Sequence, residues 1–137
     1  MKTILIVDDE YAIVETLVEV LQDEGYRAVF AGNAKDGLAR LEKENPDLVI
    51  VDYMMPIADG RQMVQEMRAL PNHQSTPVVM MSAATKEAAL SDGQGGELDV
   101  SAFLSKPFLL EDLLEKVFQL IGKPGQDPSG QIKRTIH

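Results

Sequence analysis

Pro46-Asp47-Leu48-Val49-Ile50-Val51-Asp52-Tyr53-Met54-Met55-Pro56 is the stretch on which the reading of the fold turns. Leu48 to Val51 form an uninterrupted apolar run of strand length, with turn-forming Pro46-Asp47 before it and an aspartate after it. A run with no polar alternation is what a strand covered on both faces looks like, as in a parallel sheet. Four further runs lie on either side: Ile4-Leu5-Ile6-Val7, Ala28-Val29-Phe30, Val78-Val79-Met80-Met81 and Ala102-Phe103-Leu104. The segments between them have helical period. Ile13, Leu17, Val20, Leu21 and Glu24 set the first. A second opens at Asn33, a good N-cap, and carries Leu38 and Leu41 inward until Pro46. A third covers roughly Gly60 to Leu70 with Met63, Val64 and Met67. The last runs from Leu109 to Ile121 on a stripe of Leu110, Leu113, Leu114, Val117 and Ile121. Strand and helix alternate five times, so an α/β fold on a parallel sheet is expected.

Two segments read differently. Between Thr85 and Asp99, the glycines Gly93, Gly95 and Gly96 work against a long helix, each costing about 1 kcal/mol relative to alanine. A short helix around Lys86 to Ser91 followed by a mobile loop is expected there. After Ile121, Gly122-Lys123-Pro124-Gly125-Gln126-Asp127-Pro128-Ser129-Gly130 has linker chemistry. The organisation is therefore one domain over residues 2–122, and a flexible tail or linker start over 123–137.

Composition narrows the chemistry. The 137 residues carry 22 acidic and 13 basic side chains, for a formal net charge of -9. That balance opposes direct nucleic-acid binding, in which Lys and Arg must meet phosphates. The absence of cysteine excludes disulfides, cysteine-ligated zinc, iron–sulfur clusters and thiol catalysis. Two histidines leave little for a histidine metal cage, and His73, in a Pro71-Asn72-His73-Gln74 loop, reads as a surface residue. No apolar run approaches a membrane span or a signal peptide, so a cytoplasmic protein without membrane contact is expected.

In an open parallel sheet, ligands bind outside the carboxyl ends of the strands. Those ends carry Asp8 and Asp9, Asp52, Ser82, and Ser105-Lys106-Pro107. Two carboxylates about 5 Å apart repel by about 3 kcal/mol at an effective dielectric of 20. One lysine does not neutralise three carboxylates, so a hard divalent cation is implied. Mg²⁺ fits, because it accepts one or two carboxylates and leaves room for a phosphate oxygen. An acidic Mg²⁺ pocket with a lysine and a hydroxyl points to phosphoryl chemistry. Taken singly, each residue has a plainer reading. Asp8 or Asp9 could cap the first helix, Ser82 and Phe103 could be structural, Met54 and Met55 could pack a loop, and Lys106-Pro107 could end a strand.

Ile4-Leu5-Ile6-Val7-Asp8-Asp9-Glu10, Pro46 through Pro56 with Asp59-Gly60, and Ser105-Lys106-Pro107-Phe108, in that order, resemble the receiver domain of two-component response regulators, chemotaxis regulators among them, along nearly all of residues 2–122. The resemblance implies a flavodoxin-like, doubly wound, five-stranded parallel sheet in the order 2-1-3-4-5 with five helices. It makes Asp52 the phosphoacceptor, Asp9 a direct Mg²⁺ ligand, Asp8 a ligand directly or through water, and the Met54 carbonyl a further ligand. It assigns Lys106 and Ser82 to the phosphoryl oxygens, Ser82 and Phe103 to a conformational switch, and a cis bond to Lys106-Pro107. A sensor histidine kinase or histidine phosphotransfer protein would be the donor, with a downstream protein target or a fused output domain as the recipient of the signal. Such a domain catalyses only its own phosphorylation and dephosphorylation. Met54 and Ala84, two residues past Asp52 and Ser82, cannot activate a water, so slow self-dephosphorylation is expected. Two other readings use the same pocket, a Mg²⁺-dependent phosphohydrolase and a phosphorylation-independent interaction domain. The phosphohydrolase pattern wants a second Asp two residues after the nucleophile, where this chain has Met54. A flavin binder on the same fold would need a phosphate-binding loop where Asp8-Asp9-Glu10 stand.

Overall fold

The computed structural model describes residues 1–90, 96 and 98–124. Chain order is β1 (Thr3–Val7), α1 (Tyr11–Asp23), β2 (Arg27–Ala31), α2 (Ala34–Glu44), β3 (Leu48–Asp52), α3 (Gly60–Arg68), a 3-10 turn (Pro71–His73), β4 (Val78–Ser82), α4 (Lys86–Leu90), β5 (Ala102–Ser105) and α5 (Leu110–Ile121). The strands form one parallel sheet in the order β2-β1-β3-β4-β5. This is the doubly wound fold that the motifs implied. Among the described residues, no helix is long and apolar enough to cross a membrane.

The uninterrupted apolar runs have a simple cause, since successive side chains of a strand point to opposite faces and here each face is covered. Ile4, Ile6, Leu48, Ile50, Val79, Met81 and Leu104 pack with Val14, Leu17 and Leu21 of α1 and with Leu113, Val117 and Ile121 of α5. Leu5, Val7, Val49, Val51, Val78 and Met80 pack with Leu41 of α2, Met63, Val64 and Met67 of α3, and Ala89 and Leu90 of α4. Burying each such side chain contributes about 1.5–3 kcal/mol. The edge strands are only partly covered, which leaves Phe30 of β2 exposed.

Helix boundaries follow local chemistry. Asn33 accepts the Asp36 N–H at 2.8 Å and starts α2, and Asn45 ends it in the left-handed region. Asp59 accepts the Gln62 N–H at 2.9 Å and starts α3. In α1 the fully buried stripe is Val14, Leu17 and Leu21, with Ile13 and Val18 flanking it, whereas the spacing singled out Ile13 and Val20. Leu110, the first residue of α5, is exposed rather than inward. The short α4 agrees with the expectation from Lys86 onward. The expected helix end at Ser91 and the loop glycines Gly93 and Gly95 lie outside the described residues, as does the tail from Gly125. At the end of α5, the Lys2 ammonium donates to the Ile121 carbonyl at 2.8 Å and the Tyr26 hydroxyl to Gly122.

His73 corrects the sequence reading. It is 4% exposed, its Nδ1 lies 2.8 Å from Thr76 Oγ1, and its Nε2 is buried without a partner among the described residues. The loop is held inward by Arg68, whose guanidinium donates to the carbonyls of His73, Thr76 and Asp99. Burial pushes the imidazole below its ordinary value; Glu42 opposes this and Arg68 adds to it. The folded state therefore binds this proton less readily than the unfolded chain does. The stability the neutral ring contributes is present above the unfolded value near 6.5 and is lost as pH falls below it. Wild type is expected to exceed His73→Gln in urea midpoint at pH 7.5, with the gap narrowing at pH 5.5. A gap independent of pH would show that the ring is not buried neutral.

Candidate functional site

The carboxyl ends of β1, β3, β4 and β5 converge on one edge of the sheet. Asp52 is the last residue of β3 and Ser82 the last of β4, while Asp8 directly follows β1. Central strands bring both aspartates into the protein: Asp8 is 1% exposed and Asp52 is 2% exposed. Lys106 arrives from the end of β5, where its N–H donates to the Ser82 carbonyl at 2.8 Å. The Lys106-Pro107 peptide bond is cis.

One ammonium serves three carboxylates. Lys106 Nζ lies 3.2 Å from Asp8 Oδ2, 3.2 Å from Glu10 Oε1 and 3.3 Å from Asp52 Oδ2. Asp8 Oδ1 also accepts the Glu10 N–H at 2.9 Å, and Asp52 Oδ1 accepts the Met54 N–H at 3.4 Å. Asp52 has its pKa pushed up to about 6, first by burial and then by Asp8, against the pull of Lys106 and of the Met54 N–H. Lys106 is raised above the ordinary lysine value. Burial acts to lower it, and Asp8 and Asp52 outweigh that effect. Ser82 is fully buried, and its Oγ accepts the Ala84 N–H at 2.8 Å, so its own O–H stays available as a donor.

The carboxylates that come together are Asp8, Glu10 and Asp52, each offering an oxygen within 4.8 Å of the others. Asp9 stands exposed outside that group, so the direct-ligand role implied for it does not follow from this arrangement. Glu10, to which no role was assigned, stands in that group through its contact with Lys106. The Asx turn at Asp8 bends the chain so that the second residue on faces the pocket again, and an Asp-x-Glu spacing after a strand is the signal that could have found it. Met54 is largely exposed, whereas Met55 is buried in the core. Phe103 is partly buried against the α3 and α4 side of the sheet. The donor set is all oxygen and bears excess negative charge, which fits a hard cation such as Mg²⁺.

The loop from Asp52 to α3 carries a strained apex. Ile57 has φ 71 and the Ala58 N–H donates to the Pro56 carbonyl at 2.9 Å, which closes a γ-turn around Ile57. A β-branched residue there costs on the order of 1–2 kcal/mol, and its fully exposed side chain gains no burial in return. Ile57→Asn is expected to raise the unfolding free energy by about 1 kcal/mol in urea titrations. An unchanged or lower value would show the turn to be relaxed.

The family model described as "Response regulator receiver domain" matches residues 4–118. The transcriptional regulatory protein PcoR of Escherichia coli is 35% identical over 121 residues, which make up 88% of this chain and 52% of that protein. The chain spans about half the length of the curated relatives it matches. Among solved structures, the chemotaxis protein CheY4 of Vibrio cholerae superposes with a TM-score of 0.81 at 29% identity, covering 88% of this chain and 99% of that one. The response regulator TrrA of Thermotoga maritima, in complex with Mg²⁺–BeF, gives a TM-score of 0.75 at 32% identity over 88% and 100% of the two chains.

Proposed function

The chain belongs to the response regulator receiver domain family, and on that footing we propose that Asp52 accepts a phosphoryl group from a phosphohistidine and passes the signal on by a change of shape. The observation that carries this reading is the buried Asp52 carboxylate at the end of the central strand, 3.3 Å from the only ammonium of the pocket among the described residues. An Asp52 oxygen forms the new bond to phosphorus as the P–N bond to the donor imidazole breaks. The imidazole leaves with the electron pair and takes up a proton. Lys106 supplies positive charge to the phosphoryl oxygens and the Ser82 hydroxyl donates to one of them.

Receiver domains bind Mg²⁺ at their acidic cluster, and TrrA was crystallised with Mg²⁺ and a fluoroberyllate. In this chain Asp8, Asp9 and Asp52 would supply the carboxylates that hold the ion, with the Met54 carbonyl adding a further oxygen. When bound, the ion neutralises the charge of carboxylates and phosphoryl group together. The receiver unit comprises residues 2–122.

The donor is a sensor histidine kinase or a histidine phosphotransfer protein. A groove of about 550 Å³ beside Lys106, lined by Ile13, Leu17, Phe108 and Leu110, supports a protein donor rather than a small molecule alone. Downstream of Asp52, Ser82 and Phe103 make up the switch, and the output is a protein target or a fused domain. Incubation with acetyl phosphate and Mg²⁺, followed by intact-mass measurement, tests the reading. One phosphoryl group should add, and EDTA should prevent it. No addition from acetyl phosphate or from an autophosphorylated kinase would sink it.

A further inference from the structure

The Lys106 ammonium has three N–H donors and three carboxylates at nearly equal distance: Asp8 and Glu10 at 3.2 Å, Asp52 at 3.3 Å. It is hydrogen-bonded to Asp8 and Glu10 and ion-paired with Asp52, so the ammonium is engaged before any phosphoryl oxygen arrives. The three partners are not equally held. Asp8 and Asp52 are buried, so releasing either would leave an uncompensated charge inside the protein. The Glu10 side chain is 59% exposed, and water can take over its solvation. Its backbone is fixed on both sides. The Glu10 N–H is bonded to Asp8, and its carbonyl accepts the N–H groups of Ile13 and Val14 at the start of α1. Glu10 makes no side-chain cap to that helix. The side chain can swing without disturbing anything else.

We propose that Glu10 is a displaceable counter-ion of Lys106: it occupies one ammonium donor while Asp52 is bare and yields that donor to the phosphoryl group. The proposal rests on Asp52 being the phosphoacceptor. Glu10 is then a positioning residue. It keeps the ammonium at the mouth of the pocket between the buried aspartates and solvent, and it competes with the incoming anion for the same protons. Phosphorylation would free the Glu10 carboxylate at the N-terminus of α1, beside the apolar groove next to Lys106.

Isothermal titration of beryllofluoride into the Mg²⁺-loaded protein separates competition from simple charge repulsion. Glu10→Gln removes the charge, and Glu10→Asp keeps the charge but shortens the side chain away from Lys106. Glu15→Gln removes an exposed charge one turn further along α1. Competition predicts that Glu10→Gln and Glu10→Asp both bind roughly two- to fivefold more tightly than wild type, the span expected of one partly exposed ion pair, with Glu15→Gln unchanged. Wild-type affinity in Glu10→Asp, or unchanged or weaker binding in Glu10→Gln, overturns the proposal and leaves the phosphoacceptor reading intact. No beryllofluoride binding by wild type overturns both. Mg²⁺ titrations of each variant without beryllofluoride show whether a change lies in the metal site instead.

Discussion

Asp52→Asn is expected to take up no phosphoryl group from acetyl phosphate and Mg²⁺ while unfolding at higher urea than wild type in EDTA. The first effect follows because the amide cannot act as the nucleophile. The second follows from electrostatics. Without a cation, burial and the Asp8 carboxylate hold the pKa of Asp52 at about 6 in the folded protein, above the ordinary carboxylate value. A carboxylate whose folded-state pKa is raised costs stability once it ionises. Its contribution is most favourable at low pH and falls as pH rises from about 4 to about 6, then stays level. At pH 7.5 the asparagine variant escapes that cost, and a gain of roughly 1–3 kcal/mol is expected. At pH 4 the gain should largely vanish. This dependence runs opposite to that of His73, so the two variants must be measured across the same pH series. Labelling of Asp52→Asn at the wild-type rate would move the acceptor elsewhere. A destabilised variant would mean that the Lys106 pairing outweighs burial and Asp8.

Gly60→Ala is expected to cost roughly 2–4 kcal/mol of stability and to slow phosphorylation, although glycine at the start of a helix ordinarily tolerates alanine. A Cβ on Gly60 would overlap the carbonyl oxygen and carbon of Asp52 and press on Tyr53 Cα. Those atoms are backbone, so no rotamer change relieves the clash. The Gly60 N–H also donates to the Tyr53 carbonyl at 2.9 Å, which fastens α3 to the end of β3. Any relief would shift Asp52, the residue on which the proposed chemistry depends. Urea unfolding and an acetyl phosphate time course measure both effects on one preparation. An unchanged midpoint with normal labelling would show that the helix start yields cheaply.

Much of this molecule is legible in its residues because strand ends and apolar runs are local signals. Leu48 to Val51 and Ile4 to Val7 announce strands covered on both faces, and the aspartates that follow them are placed at the ligand edge by that fact alone. Asn33 announces a helix start, since it needs only a backbone N–H three residues away. His73 was not legible. Nothing in Pro71-Asn72-His73-Gln74 says that Arg68 will bond the carbonyls of His73, Thr76 and Asp99 and turn the imidazole inward. The exposed apex at Ile57 was equally hidden, because its sequence holds neither glycine nor asparagine to mark a positive φ.

The sequence by itself determined the parallel α/β architecture, the sheet edge where the chemistry sits, and the acidic and basic residue types gathered there. Periodicity and turn chemistry act over a few residues and survive in any reading of the chain. Only the tertiary structure decided which carboxylates share Lys106. Asp8, Glu10 and Asp52 meet there while Asp9 stays outside the group, and that choice depends on how the turn after β1 meets Lys106, just past β5 and 96 residues from Glu10. Side-chain direction at a loop is set by contacts made across the fold, so the Asp-x-Glu spacing after β1 could raise Glu10 as a candidate but could not decide its partner.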